Sequence, residues 1–445
     1  MIEWGSIVYP NEWVVGRLND LCELITDGSH FSPVPQEDGE IIVNVKDMKT
    51  WGIDYDSCTK ISKNDFDFLS KQNCTPRIND VLLSKDGTIG RVLVFKDNRI
   101  VILLSSIAIL RSKPVLESSY LCTVLRSFIF DKQLYKFQSG SALKRLVLRD
   151  IQKLKIPYPP KNEQRKIARI IFTVDAVIEK TQAAIDKYKA IKQGMLHDLF
   201  TRGIDPTTGT LRPKYEDAPT LYKESKLGFI PLEWDEFKIK DCIDPVMSNV
   251  DKLIRDDETI ILLCNYMDVY SNRYLTKGIS YSIGSANQSE IQRFSLRPQD
   301  VMITKDSETP DDIAVPAVLV EKVENLICGY HLCILRSKDL NKLNGEFLML
   351  QLQLQDINKQ FAIRANGSTR YGLTIDAIEN VFLKIPKNID EQIEVVRRLK
   401  SLNDRLQAEQ NYLQKLQMIK AGLMSDLLSG NKRVKVLEEV LAVAQ

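Results

Sequence analysis

Three histidines in 445 residues leave little material for histidine-based catalysis or metal binding. The eight cysteines are scattered, with no Cys-x-x-Cys pair, and read as reduced thiols of a cytosolic protein. No apolar run reaches the roughly 18 residues of a membrane span, so none is expected. The opening MIEWGSIVYP lacks the basic start and apolar core of a secretory signal. A net charge of +2 removes any overall field for a polyanion, so a nucleic-acid surface would have to be a local patch. There is no Gly-x-x-x-x-Gly-Lys phosphate loop and no Gly-x-Gly-x-x-Gly turn, which excludes the usual ATP-driven motor and dinucleotide sites. Pro310-Asp311 opens like a nuclease site, but no Asp/Glu-x-Lys follows. Cys328-Gly-Tyr-His331-Leu-Cys333 has no fourth ligand nearby and alternates like a buried strand, so no metal site is assigned.

What the chain does contain, it contains twice. Glu163 to Leu199 aligns without a gap on Glu391 to Leu427. Glu163-Gln164, Arg169, Gln182, Lys187, Ile191-Lys192, Gly194 and Asp198-Leu199 recur as Glu391-Gln392, Arg397, Gln410, Lys415, Ile419-Lys420, Gly422 and Asp426-Leu427. The apolar positions recur too. Ile167, Ile171, Val174, Ile178 and Ile185 match Val395, Leu399, Leu402, Leu406 and Leu413, and Leu416 follows in the second copy. Steps of three and four residues make a narrow apolar seam, the pattern of a two-helix coil. Neither copy contains proline, and each is long enough for one helix of roughly 60 Å at ~1.5 Å per residue.

A second set of echoes precedes each helix, in the same order. Pro10-Asn-Glu-Trp13 recurs as Pro231-Leu-Glu-Trp234. Arg77-Ile-Asn-Asp80-Val-Leu-Leu-Ser-Lys85-Asp86 recurs as Arg297-Pro-Gln-Asp300-Val-Met-Ile-Thr-Lys305-Asp306. Ser139-Gly-Ser141 recurs as Asn366-Gly-Ser368, and Ile156-Pro157 as Ile385-Pro386. The chain is therefore a tandem duplication, each half a globular head followed by a long helix. Short β-branched runs punctuated by Gly, Asn and Asp predict strands at 41–43, 81–83, 91–95, 100–104, 260–263, 301–304, 315–320 and 326–335. Helical spacing predicts a helix over 120–135 and another over 345–362. The heads are mixed α+β. The expected layout is a head over 1–157, a long helix over 158–202, a turn-rich linker over 203–229, a second head over 230–386, a second helix over 387–430 and a tail over 431–445.

Antiparallel pairing of the two helices would keep the heads from crowding and create an approximate two-fold axis. B-DNA presents the same groove face about every 34–36 Å, a separation a helix pair can set. Thr181 and Glu409 take the one polar seam position, where a polar residue can fix register; the alternative is that both tip into solvent. Cations and flexible polar groups suited to phosphates and base edges cluster at Lys85, Thr88, Arg91, Ser139, Ser141, Lys144 and Arg145 in the first half. In the second half they are Lys305, Ser307, Ser368, Thr369, Arg370 and Tyr371. Each alone is better explained by a polar turn between packed elements; as a set at repeated positions they point more strongly to DNA.

Ile156-Pro-Tyr-Pro-Pro160, Glu163-Gln164 and the helix ending Lys192-Gln-Gly-Met-Leu-His-Asp198-Leu-Phe200 resemble the repeated region of specificity (S) subunits of type I restriction-modification systems. Pro-x-x-Trp and Thr26-Asp-Gly-Ser-His30 are similar as well, and add Thr26, Ser29 and His30 to the DNA-contact candidates. The second copy fits less well: Ile385-Pro386 lacks the double proline, while Gly422-Leu-Met-Ser-Asp426-Leu-Leu428 keeps the rest. The resemblance implies a non-catalytic subunit whose two target-recognition domains each read one half of a split, asymmetric DNA site. It implies that the paired helices dock two methyltransferase subunits, and that restriction motor-nuclease subunits join them. Adenine methylation and cleavage would belong to the partners, which would hold S-adenosylmethionine, ATP and magnesium; this chain would carry no cofactor. In line with this, the Asn/Asp-Pro-Pro-Tyr/Phe sequence of the partner methyltransferases is absent. Two other classes remain open at this stage. A two-headed protein scaffold would confer no sequence preference on DNA, and an enzyme with its own site would methylate DNA alone.

Overall fold

The computed structural model describes residues 2–4, 7–50, 52–137 and 145–434. The chain divides into two compact units, and the division does not follow the expected order of head and helix. One unit takes residues up to 184 together with those from 409 onward; the other is Ile185–Ala408. Each unit thus holds one head and parts of both long helices, Lys161–Thr201 and Ile389–Leu428.

In the first unit an antiparallel four-stranded sheet runs in the order Cys22–Asp27, Ile107–Ser112, Val81–Ser84, Val92–Val94. Alternation assigns its side chains to two cores. Val81, Leu83, Ala108 and Leu110 face one cluster, with Tyr120, Leu121 and Leu125 of the helix Ser118–Leu125. Leu82, Ile107 and Ile109 face another, with Val43 and Leu103 of a smaller three-stranded sheet. A strand with both faces covered has no polar positions, which explains why 81–83 is apolar throughout. The second unit repeats the plan. Val301, Ile303, Cys333 and Leu335 join the cluster of Phe347 and Phe361, while Met302, Leu332 and Ile334 join that of Ile261 and Leu263. Its sheet order is Ile243–Met247, Leu332–Ser337, Val301–Thr304, Pro316–Leu319, with Tyr274–Leu275 added in parallel at the edge.

Two expectations change in detail. The run 326–335 is two strands, Leu326–Cys328 and Leu332–Ser337, which belong to different sheets and are separated by a turn. The helix expected over 120–135 is a pair, Ser118–Leu125 and Phe128–Phe137. The Ser127 hydroxyl donates to the Val124 carbonyl and accepts from the Ile129 amide, ending one helix and starting the next. The stretch 345–362 is likewise Gly345–Leu352 and Gln355–Arg364, broken where Leu354 is extended.

The duplicated motifs are mostly structural devices. Asp80 and Asp300 each accept a backbone N–H from the residue three before, and a two-pronged bond from Arg111 and Arg336 in the neighbouring strand. Gln164 accepts the Glu117 amide and donates to the Val115 and Pro159 carbonyls. Gln392 makes the same three bonds, to Asn344, Lys342 and Pro386.

The long helices pack together, and the contacts inside each unit set their direction. In the first unit Ile167 and Ile171 share a core with Met424, Leu427 and Leu428, and Lys420 meets Asp175 at 2.6 Å. In the second, Leu199 and Phe200 share a core with Val395, Val396 and Leu399. The start of each helix therefore lies along the end of the other: the pair is antiparallel. Along the seam Ile185, Leu402 and Leu416 are buried, while Val174, Ile178, Leu406 and Leu413 are half-buried. Thr181 is buried and its hydroxyl donates to the Val177 carbonyl, so it does not tip into solvent; Glu409 is half-buried.

A buried carboxylate closes each unit. Glu391, at the start of the second helix, accepts both prongs of Arg212, the Ile204 amide and the Trp234 indole N–H. Gly203 turns the chain there at φ +65°, with no room for a Cβ beside Glu391 and Trp234. In the first unit Glu163 accepts both prongs of Arg433, and Gly430 turns at φ +74° against Pro10. The Trp13 indole N–H, by contrast, finds no acceptor among the described residues.

Arg212 and Glu391 expose 6% and 1% of their side chains, whereas Arg433 exposes 41%. Glu391→Gln strands a buried guanidinium and should cost its unit about 3–5 kcal/mol. Glu163→Gln should cost clearly less, because Arg433 can turn to water. Denaturant midpoints of the two variants check the order.

Candidate nucleic-acid interface

The lysine of each repeated Asp-Val-x-x-Ser/Thr-Lys-Asp segment sits just past a core strand and is not a free cation. Lys85 is 2% exposed, its ammonium 3.0 Å from Asp27. Lys305 is half-buried; it donates to the Ser248 carbonyl and lies over the Tyr330 ring. The backbone beside each lysine is pinned alike. Lys85 N–H donates to Ser106 and its carbonyl accepts from Leu146; Lys305 N–H donates to His331 and its carbonyl accepts from Leu373. These bonds draw together the two candidate loops that the sequence kept separate in each half. In the first unit Asp86 bridges Arg145; in the second, Asp306–Ser307 pairs antiparallel with Tyr371–Gly372.

The remaining candidates fall into two groups. In the first unit His30, Thr88, Arg91 and Arg145 are exposed, His30 standing 3.3 Å from Asp27 and Arg145 3.6 Å from Asp86. Arg91 spends its guanidinium on the carbonyls of Val45 and Met48. Ser29 is buried and bonds Phe31, and Thr26 is half-buried. Ser139, Ser141 and Lys144 lie outside the described residues. In the second unit Ser368, Thr369 and Arg370 are exposed, Tyr371 is half-buried, and Ser307 is buried with its oxygen on the Thr309 amide.

The structure adds a cleft of about 820 Å³ in the second unit, lined by Tyr266, Tyr270, Asp306, Asp312, His331 and Arg370 among others. The Tyr266 and Tyr270 rings stack at 5.5 Å, and the Tyr270 hydroxyl donates to Asp312. That hydrogen bond to Asp312 also holds the Tyr270 phenol above its ordinary pKa. His331 meets Asp306 at 2.7 Å. The only sequence signal for this wall was the one-turn spacing of Tyr266 and Tyr270; His331 stood in a motif read as a strand. Cys328 and Cys333 are indeed buried strand residues, and burial pushes the Cys333 thiol up to about 12. Among the described residues no group of His, Cys, Asp or Glu could hold a metal ion, and no helix is long and apolar enough to cross a membrane.

The model of the type I restriction modification DNA specificity domain matches residues 10–187 and again 231–418. The chain is similar to the putative type I restriction enzyme MjaX specificity subunit of Methanocaldococcus jannaschii, 24% identical over 97% of this chain and 96% of that one. It is 22% identical to the MjaVIII specificity subunit of the same organism, over 98% and 96%. Among solved structures, a type I restriction-modification S subunit from M. genitalium superposes with a TM-score of 0.56 at 14% identity, covering 98% of this chain and 99% of that one.

Because Lys85 is buried on Asp27, Lys85→Met leaves a carboxylate without its cation and should lower the stability of the first unit by about 3 kcal/mol or more. Arg145→Ala, at an exposed pair, should shift it by less than about 1 kcal/mol. Chemical denaturation distinguishes the two.

Proposed function

Since the chain belongs to the type I restriction modification DNA specificity family, being a non-catalytic specificity subunit with two target-recognition domains, we propose that each head reads one half of a bipartite, asymmetric DNA site. The head of 1–157 takes one half and that of 230–386 the other. In the first unit the exposed loops around His30, Thr88 and Arg145 would face the duplex; in the second, those around Ser368, Thr369 and Arg370. Lys85, Ser29 and Ser307 would act through the loops they hold. The one observation that carries this reading is the duplicated convergence of two polar loops beside a pinned lysine, in a chain matched twice by the same family model.

The antiparallel helix pair would carry two methyltransferase subunits, with restriction motor-nuclease subunits joining through them in the cytoplasm. Cofactors and metal ions would be held by those partners. Ile191 and Ile419, equivalent positions on the two helices, are 40% and 43% exposed, and seam residues such as Ile178 and Leu406 are only half-buried. That leaves apolar area for a partner helix.

Exchanging residues 14–155 for those of a relative should change one half of the methylated sequence and leave the other intact; sequencing methylated adenines in the host genome reads this directly. A change in both halves, or in neither, contradicts one reader per head. Ile178→Asp together with Leu406→Asp should abolish co-purification of the methyltransferase, while the heads keep their unfolding midpoints.

A further inference from the structure

We propose that the cleft of the second unit reads a C·G base pair, with Asp306 accepting from cytosine N4 and Arg370 donating to guanine N7 and O6. This rests on the reading of that head as a DNA reader.

The argument begins with charge. Asp306, Glu308 and Asp312 line the cleft. Three carboxylates repel a phosphate, so the sugar-phosphate backbone is a poor occupant of this space. Yet the cleft also holds Arg370, which is exposed and makes no ion pair with any described carboxylate. Among the described residues its side chain reaches only the ring nitrogen of His331, at 3.5 Å, and Asp306 already engages that nitrogen. Asp306 spends one oxygen on His331; its other oxygen accepts no hydrogen bond among the described residues. A free acceptor and a free two-pronged donor therefore stand side by side.

The major-groove edge of a C·G pair offers the complement: an amino donor on cytosine and two acceptors on guanine. An A·T pair puts a donor and an acceptor on adenine, and one acceptor beside a methyl group on thymine; the adenine edge suits an amide side chain better. The backbone shape agrees. Asp306 lies in, and Arg370 borders, the two-stranded antiparallel ribbon of Asp306–Ser307 and Tyr371–Gly372, and a two-stranded ribbon is one of the forms the major groove admits. His331 positions the Asp306 carboxylate, and the Tyr266–Tyr270 stack fixes Asp312 at the far wall. The described residues of the first unit do not show this arrangement. Its corresponding Asp86 faces Arg145, at the position where the second unit has Gly372, so that acid is already engaged.

The test uses the full chain assembled with its methyltransferase subunit. Methylation of a library randomised in both half-sites is compared for wild type, Arg370→Ala and Asp306→Ala. Each variant should relax one position, a C·G pair in the half-site read by the second head, with discrimination there falling roughly 10-fold or more. The other half-site should be unchanged. A uniform loss at every sequence would mark Arg370 as a phosphate contact and overturn the proposal, as would relaxation at an A·T pair. A lowered unfolding midpoint for Arg370→Ala with unaltered base preference would make it structural and equally overturn it. Exchange of residues 230–386 separates the two levels. If that exchange leaves the methylated sequence unaltered, the head is not a reader; if it changes a half-site while the point variants do not, only the base assignment fails.

Discussion

A carboxylate taken out of water at the start of each long helix determines how this chain closes. Glu391 satisfies the arginine, the backbone amide and the indole that converge on it, and all three come from outside its own helix. An ion pair so buried tolerates no alternative geometry, because each misaligned partner would be left desolvated. Since Arg212 follows the end of the first helix, the bond admits one relative direction for the helix pair. Glu163 and Arg433 repeat the arrangement with a more exposed arginine, so the two repeats share a plan but not an equal burial.

From this constraint the roles of the repeated motifs separate. Those that recur most faithfully, Glu-Gln, Pro-x-x-Trp and Arg-x-x-Asp-Val, turn out to hold cores, caps and turns. Repetition in this chain marks architecture. The surfaces that would give the heads different DNA preferences are where the repeats part: Asp27 against Ser248 beneath the lysine, Arg145 against Gly372 beside the aspartate. A duplicated scaffold with diverged edges is what two independent readers need.

The sequence was most legible where one physical period ruled. Short unbroken β-branched runs marked the core strands, because each residue step moves a side chain to the other face of a sheet buried on both sides, so every position is apolar. The three-four spacing marked two long helices, which the structure has as Lys161–Thr201 and Ile389–Leu428. It was least legible where a single side chain competes with the backbone. Ser127 divides a stretch whose apolar spacing ran on unbroken. Lys85 carries the charge expected of a DNA contact, but nothing local showed that Asp27, far off in the chain, would take it.

Sequence alone therefore determined the duplication, the class of fold, the two helices and the family, since these rest on periodic burial and on order along the chain. Tertiary structure alone decided which polar residues remain available. Whether a lysine or an aspartate is free depends on partners brought from distant strands, and the desolvation cost that selects those partners exists only once the core has formed.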